Sequence, residues 1–164
     1  MCAKALFLAV AIYVCACARA LADATSNSPE AENRAIIESC LANKTKAGEK
    51  LSRCIGIIAD PCLENGEDPS TYGMANCSTR EYDVWETRLN ENYQKLMKDL
   101  DGEAKKNMRE VERAWIVYRD RKCGFYHVLE QGTAAIPMDA YCTMTETGRQ
   151  AIFLEKILGY SGSK

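Results

Sequence analysis

The sequence predicts an all-α fold, a disulfide-stapled helical bundle built on a long antiparallel helical hairpin. Three observations predict it. Tyr82, Trp85, Leu89, Tyr93, Leu96 and Leu100 recur at spacings of 3, 4, 4, 3 and 4, the period of one helix face. Asp101-Gly102 interrupts the pattern only briefly before a second amphipathic stretch begins, and so short a connection turns long helices back antiparallel. Six cysteines, Cys40, Cys54, Cys62, Cys77, Cys123 and Cys142, are spaced to close short local loops. No stretch carries a competing strand pattern.

The 164 residues suit one domain, which holds roughly 100–200. A hydrophobic content of 47% is ordinary for a globular chain and speaks against disorder. The net charge of −2 gives no electrostatic help towards nucleic acid. A basic partner would be weakly attracted.

Residues 1–22 read as a signal peptide: Lys4, an apolar run from Ala5 to Ala18, then Ala20-Leu21-Ala22 as a small-x-small cleavage site. Their only charges are Lys4 and Arg19, so the remaining chain is more acidic by two charges. The run is too short for a membrane span, which takes about 20 apolar residues. Lipid anchoring at Cys17 is the weaker alternative, because Cys15 stands where a small residue is usual. Export, periplasmic or secreted, is therefore expected. Of nine cysteines, Cys2, Cys15 and Cys17 leave with this segment, and an even number in an exported chain argues for disulfides. Spacing favours Cys40–Cys54, Cys62–Cys77 and Cys123–Cys142 among the possible pairings. Each such loop stabilises by about 3 kcal/mol in the chain-entropy account. Zinc is disfavoured by the lack of any Cys-x-x-Cys pair and by the single histidine.

Along the mature chain, Asp23 to Pro29 is a small, polar leader. Ser28 caps and Pro29 opens a helix to about Asn43, with Ala35, Ile36, Cys40 and Leu41 on its apolar side. After a connection over Lys44 to Gly48, a second helix is expected from Glu49 to Asp60, carrying Leu51, Cys54, Ile55 and Ile58 and stopped by Pro61. If Cys40 and Cys54 pair, these two form a short antiparallel helical hairpin, and leader and hairpin together make an extension over residues 23–71. Cys62 to Thr71, rich in Gly, Asn, Asp and Pro, is a loop. The long helix runs from Thr71 or Gly73 to Leu100, where Gly102 can supply a left-handed cap. Its partner spans Glu103 to about Leu129, with Met108, Val111, Trp115 and Tyr118 as the apolar stripe. Glu130 to Pro137 is a loop and Met138 to Leu158 a last helix, so residues 72–160 form the main helical unit.

Residues that could carry chemistry have simpler readings. Trp85 and Trp115 fall on apolar stripes and are expected in the core. Tyr93 and Tyr118 are expected to pack with the hydroxyl on a polar partner. Asn90 is either a surface residue or a fixed buried amide. Arg119 and Asp120 are neighbours in sequence and diverge around a helix; Arg119 can reach Glu112 or another helix, and Arg149 offers a similar bridge. Glu110 and Glu112 read as solvated. Cys123 and His127 lie one turn apart, but a nucleophile needs a free thiol. No phosphate loop, metal cluster or Ser-His-Asp set is visible, so the chain is read as a non-enzyme without cofactor or metal.

Cys77, Leu89-Asn90-x-x-Tyr93, Ala114-Trp115-Ile116-x-x-Arg119-Asp120-x-x-Cys123, Cys142 and Thr147-x-Arg149 with Leu154 resemble the lysozyme-inhibitor LprI-like family. The likeness spans about Met74 to Leu158. Cys40, Cys54-Ile55-Gly56 and Pro61-Cys62 look like an N-terminal extension. Glu112 departs from the family's usual glutamine three residues before the tryptophan. The resemblance implies an exported helical domain that binds protein, with lysozyme as the namesake target, and a structural role for Leu89, Asn90, Tyr93, Trp115, Arg119, Asp120 and Arg149. Candidate partner-binding loops are the acidic Glu64, Glu67 and Asp68 segment and the segment around Gln131 and Gly132. The alternative is a periplasmic envelope interaction or scaffold module whose target is another envelope protein.

Overall fold

The computed structural model describes residues 28–66 and 68–161. The targeting segment with Cys2, Cys15 and Cys17, most of the leader, Glu67 and the last three residues lie outside the described residues. Helix α1 spans Pro29–Lys46, a 3-10 turn Leu51–Cys54, α2 Ala59–Asn65, α3 Thr71–Asp99, α4 Gly102–Gly124, α5 Tyr126–Leu129 and α6 Ala135–Ser161. The architecture is an all-α, disulfide-linked bundle. No helix among the described residues is long and apolar enough to cross a membrane.

The long helices are capped as their ends require. The Ser28 hydroxyl accepts from the Ala31 N–H at 3.2 Å, and that of Ser70 accepts from the Gly73 N–H at 3.0 Å. Leu100 and Asp101 connect α3 to α4, and Gly102 opens α4 with φ 47, rather than ending α3. A residue with a Cβ is strained in that conformation. Helix α6 then packs most closely along α3. It runs parallel to α3, as Gly148 beside Trp85 and Ala151 bonded to Asn92 show. It runs antiparallel to α4, through Glu146 with Lys122 and Gln150 with Glu112.

The core sits between these helices. Val84, Trp85, Leu89 and Leu96 of α3 meet Met144, Ala151, Ile152 and Leu154 of α6, with Ile37 and Leu41 of α1 and Met108 of α4. Disulfides join Cys40 to Cys54, Cys62 to Cys77 and Cys123 to Cys142. Arg34 of α1 spans to both oxygens of Glu91 on α3 at 3.0 Å.

Helix α1 runs past Asn43 to Lys46. The Glu49–Asp60 helix is replaced by the 3-10 turn, a reversal through Gly56 at φ 95, and α2. Glu81 explains the change. Its fully buried carboxylate accepts from the N–H groups of Gly56, Ile58 and Ala59 at 2.7, 2.9 and 2.9 Å, and from Trp85 Nε1 at 2.8 Å. A continuous helix would have used those amides internally. Pro61 lies in the first turn of α2 and Pro137 in that of α6, where a missing N–H has no helical partner to lose. Thus α2 takes residues expected in the loop after Cys62, and α6 starts before Met138 and ends beyond Leu158.

Helix α4 is rotated from its expected phase. Met108, Glu112 and Cys123 are buried, whereas Val111 and Tyr118 are 43% and 52% exposed. Glu112 is not solvated, because Gln150 of α6 donates to it at 2.6 Å and satisfies it below the surface. Counting apolar residues alone misplaced this face. The helix also ends at Gly124 instead of running through to Leu129, where Cys123 is tied to α6.

Candidate functional site

Two regions combine exposed side chains with a fixed frame. The first is the end of the bundle where α2, the start of α3, α5 and the start of α6 converge. Leu63, Met74, Tyr126, Pro137, Met138 and Tyr141 line an apolar hollow there of about 380 Å³. Glu64 follows Leu63, and Gln131 and Gly132 lie in the connection between Tyr126 and Pro137, so both expected loops border this end. Gly132 adopts φ 91, and Gln131 is exposed. Phe125, Val128 and Leu129 project beside them, Val128 at 74% exposure. Two disulfides, Cys62–Cys77 and Cys123–Cys142, hold the flanking helices, and the Tyr141 hydroxyl donates to Asp60 at 2.9 Å.

This end is acidic. Residues 59–79 and 124–143 contain Asp60, Glu64, Glu67, Asp68, Glu130 and Asp139 and no lysine or arginine, and the one cation among the described residues that reaches in from the next turn of α3 is Arg80, which donates to Cys62 Sγ. His127 meets Asp139 at 3.0 Å, and Cys123 beside it is oxidised. Asp68 accepts from the Ser70 N–H at 2.9 Å, and hydrogen bonds from Ser70 hold its carboxyl below the usual range. It therefore braces the start of α3, while Glu64 is exposed and without such a bond.

The second region is a groove of about 400 Å³ between α3 and α4. Glu86, Leu89, Asn90 and Tyr93 line one wall, and Arg109, Glu112, Arg113, Trp115, Ile116 and Arg119 the other. Six residues that carry the family likeness, Leu89, Asn90, Tyr93, Trp115, Ile116 and Arg119, therefore meet here. Trp115 is half-buried at the groove, packed against the core from its edge. The Arg119 guanidinium lies 4.9 Å from the Trp115 ring centroid, contacts Glu86 at 3.8 Å, and donates to Asp120 at 2.9 and 3.0 Å. Its partners are thus Glu86 and the adjacent Asp120, not Glu112, and the two neighbours do not diverge. Burial raises the Glu112 carboxyl, against the opposing hydrogen bond from Gln150. Burial and then the nearby Glu86 charge raise the Tyr82 phenol. Arg149 lies outside the groove, exposed and paired with Glu146.

Glu86, Arg109 and Arg113 were missed as site residues. Glu86 and Asn90, like Arg109 and Arg113, stand four residues apart on their helices and share a face. Laying the two faces against each other in the antiparallel register set by the short connection could have found them. Among the described residues, no group of three or more His, Cys, Asp or Glu is arranged to hold a metal.

A family model described as lysozyme inhibitor LprI matches residues 62–154. The match runs from within α2 into α6 and takes in both regions. Comparison with curated proteins and with solved structures returned no match. Covering more than half of the chain, the match shows that this protein belongs to the lysozyme inhibitor LprI family.

Proposed function

We propose that this protein is exported and binds lysozyme directly through the acidic end of its bundle, residues 23–71 acting as a disulfide-bonded extension of the 72–160 domain. The observation that carries the reading is the charge of that end: six carboxylates in the two stretches that build it, against Arg80 alone beside Cys62. Lysozymes are commonly basic, and complementary charge raises the encounter rate and fixes orientation. The exposed Phe125, Val128 and Leu129 supply apolar area for the contact. Two disulfides hold the flanking helices in place before binding, which lowers the ordering entropy lost on association.

Lysis of a cell-wall suspension tests the proposal, with the oxidised protein added to several lysozymes and binding followed by calorimetry. Slowed lysis at micromolar protein, weakened about tenfold by Glu64→Lys with Glu130→Lys, is expected. Unchanged lysis at micromolar excess over every lysozyme overturns it, and capture of a different envelope protein would favour a scaffold role.

A further inference from the structure

We infer that the groove between α3 and α4 is a binding site for a short acidic saccharide, separate from the acidic end. Its lining is unbalanced in a particular way. Arg119 is neutralised by Glu86 and Asp120. Arg109 and Arg113 make no ion pair or hydrogen bond with any described residue. The Asn90 amide and the Tyr93 hydroxyl, on the facing wall, also have no hydrogen-bond partner among the described residues. Four side chains with unused donors thus face one cavity.

Those groups specify the ligand's chemistry. A guanidinium presents a planar fork of donors that matches a carboxylate, and two of them one turn apart favour an anion over a neutral group. Across the groove, an amide and a phenol can each donate and accept, which suits the hydroxyl or acetamido groups of a sugar. Trp115, Leu89 and Ile116 add apolar surface for a ring face. The cavity of about 400 Å³ falls within the range of small-ligand sites, roughly 300–1,000 Å³, and suits a mono- or disaccharide better than a folded partner. Three guanidiniums against two carboxylates leave the lining cationic on an otherwise mildly acidic chain.

Trp115 provides the readout, because Trp85, the other tryptophan, is fully buried and away from solvent. The oxidised chain is titrated with N-acetylmuramic acid, N-acetylglucosamine, D-lactate and inorganic phosphate, by tryptophan fluorescence and calorimetry. The first two sugars differ only in the 3-O-lactyl ether, which carries the carboxylate. Saturable binding of N-acetylmuramic acid is expected, with N-acetylglucosamine and lactate each at least tenfold weaker. Arg109→Ala and Arg113→Ala should each weaken it about tenfold with the circular dichroism spectrum unchanged, while Lys106→Ala, outside the lining, leaves it unaltered. No saturation by N-acetylmuramic acid up to about 10 mM, equal binding of N-acetylglucosamine, equal binding of phosphate, or indifference to Arg113→Ala overturns the assignment. Binding that depends on Arg113 but not Arg109 would keep the site and reject the two-guanidinium clamp.

Discussion

Glu81→Gln removes two of the four hydrogen bonds that the Glu81 carboxylate accepts, three of which tie the N-terminal extension to α3. In the native chain Oε1 accepts from Gly56 N and Trp85 Nε1, and Oε2 from Ile58 N and Ala59 N. A glutamine has one oxygen. Whichever way the amide turns, its NH2 faces two donors that can find no substitute, because the position is fully buried. Hydrogen bonds to a charged acceptor contribute about 1.5–3 kcal/mol each, so losing two destabilises by about 3–6 kcal/mol. That corresponds to a fall in Tm of roughly 10–20 °C. Urea unfolding of the disulfide-intact protein measures the loss. Amide hydrogen exchange locates it, since the Gly56, Ile58 and Ala59 amides should lose protection before the middle of α3 does. Exposed Glu64→Gln serves as the control and should stay within about 0.5 kcal/mol of wild type. A Glu81→Gln protein within about 1 kcal/mol of wild type would refute the view that this carboxylate organises the extension.

Glu112→Gln should raise stability near neutral pH. Burial lifts the folded-state carboxyl above its unfolded value, so its stabilising contribution is present below the unfolded pKa and is lost as pH rises through the folded one. The gain in Tm should therefore shrink as pH is lowered towards 4; an equal gain at both pH values would contradict this origin. Gly148→Val should destabilise by about 1–3 kcal/mol in urea unfolding, because a Cβ there sits 3.0 Å from Ile55 Cγ1 and 3.3 Å from Trp85 Cδ2. Gly159→Ala, on the same helix with open space around it, should instead be neutral or stabilise by up to about 1 kcal/mol in the same measurement.

The helical class was legible in local pattern. The stripe from Tyr82 to Leu100 and the two-residue break after it depend on neighbours a few positions away, which a single sequence displays. The lining of the groove was only half legible. Leu89, Asn90, Tyr93, Trp115 and Arg119 stood out through the family likeness, but Glu86, Arg109 and Arg113 look like ordinary surface charges until the facing helix is in place.

Sequence alone determined the four long helices, the short connection that turns α3 back into α4, and the family. Each rests on spacing, capping residues or side-chain type, all properties of adjacent positions. Tertiary structure decided what becomes of the buried carboxylates. Glu81 and Glu112 carry charge and count as surface residues in any periodicity, yet partners 22 to 38 positions away satisfy them. One converts an expected helix into a turn, and the other rotates α4 so that Val111 and Tyr118 face solvent. A hydrogen bond between distant segments leaves no periodic trace in the chain, so the packed bundle alone could disclose it.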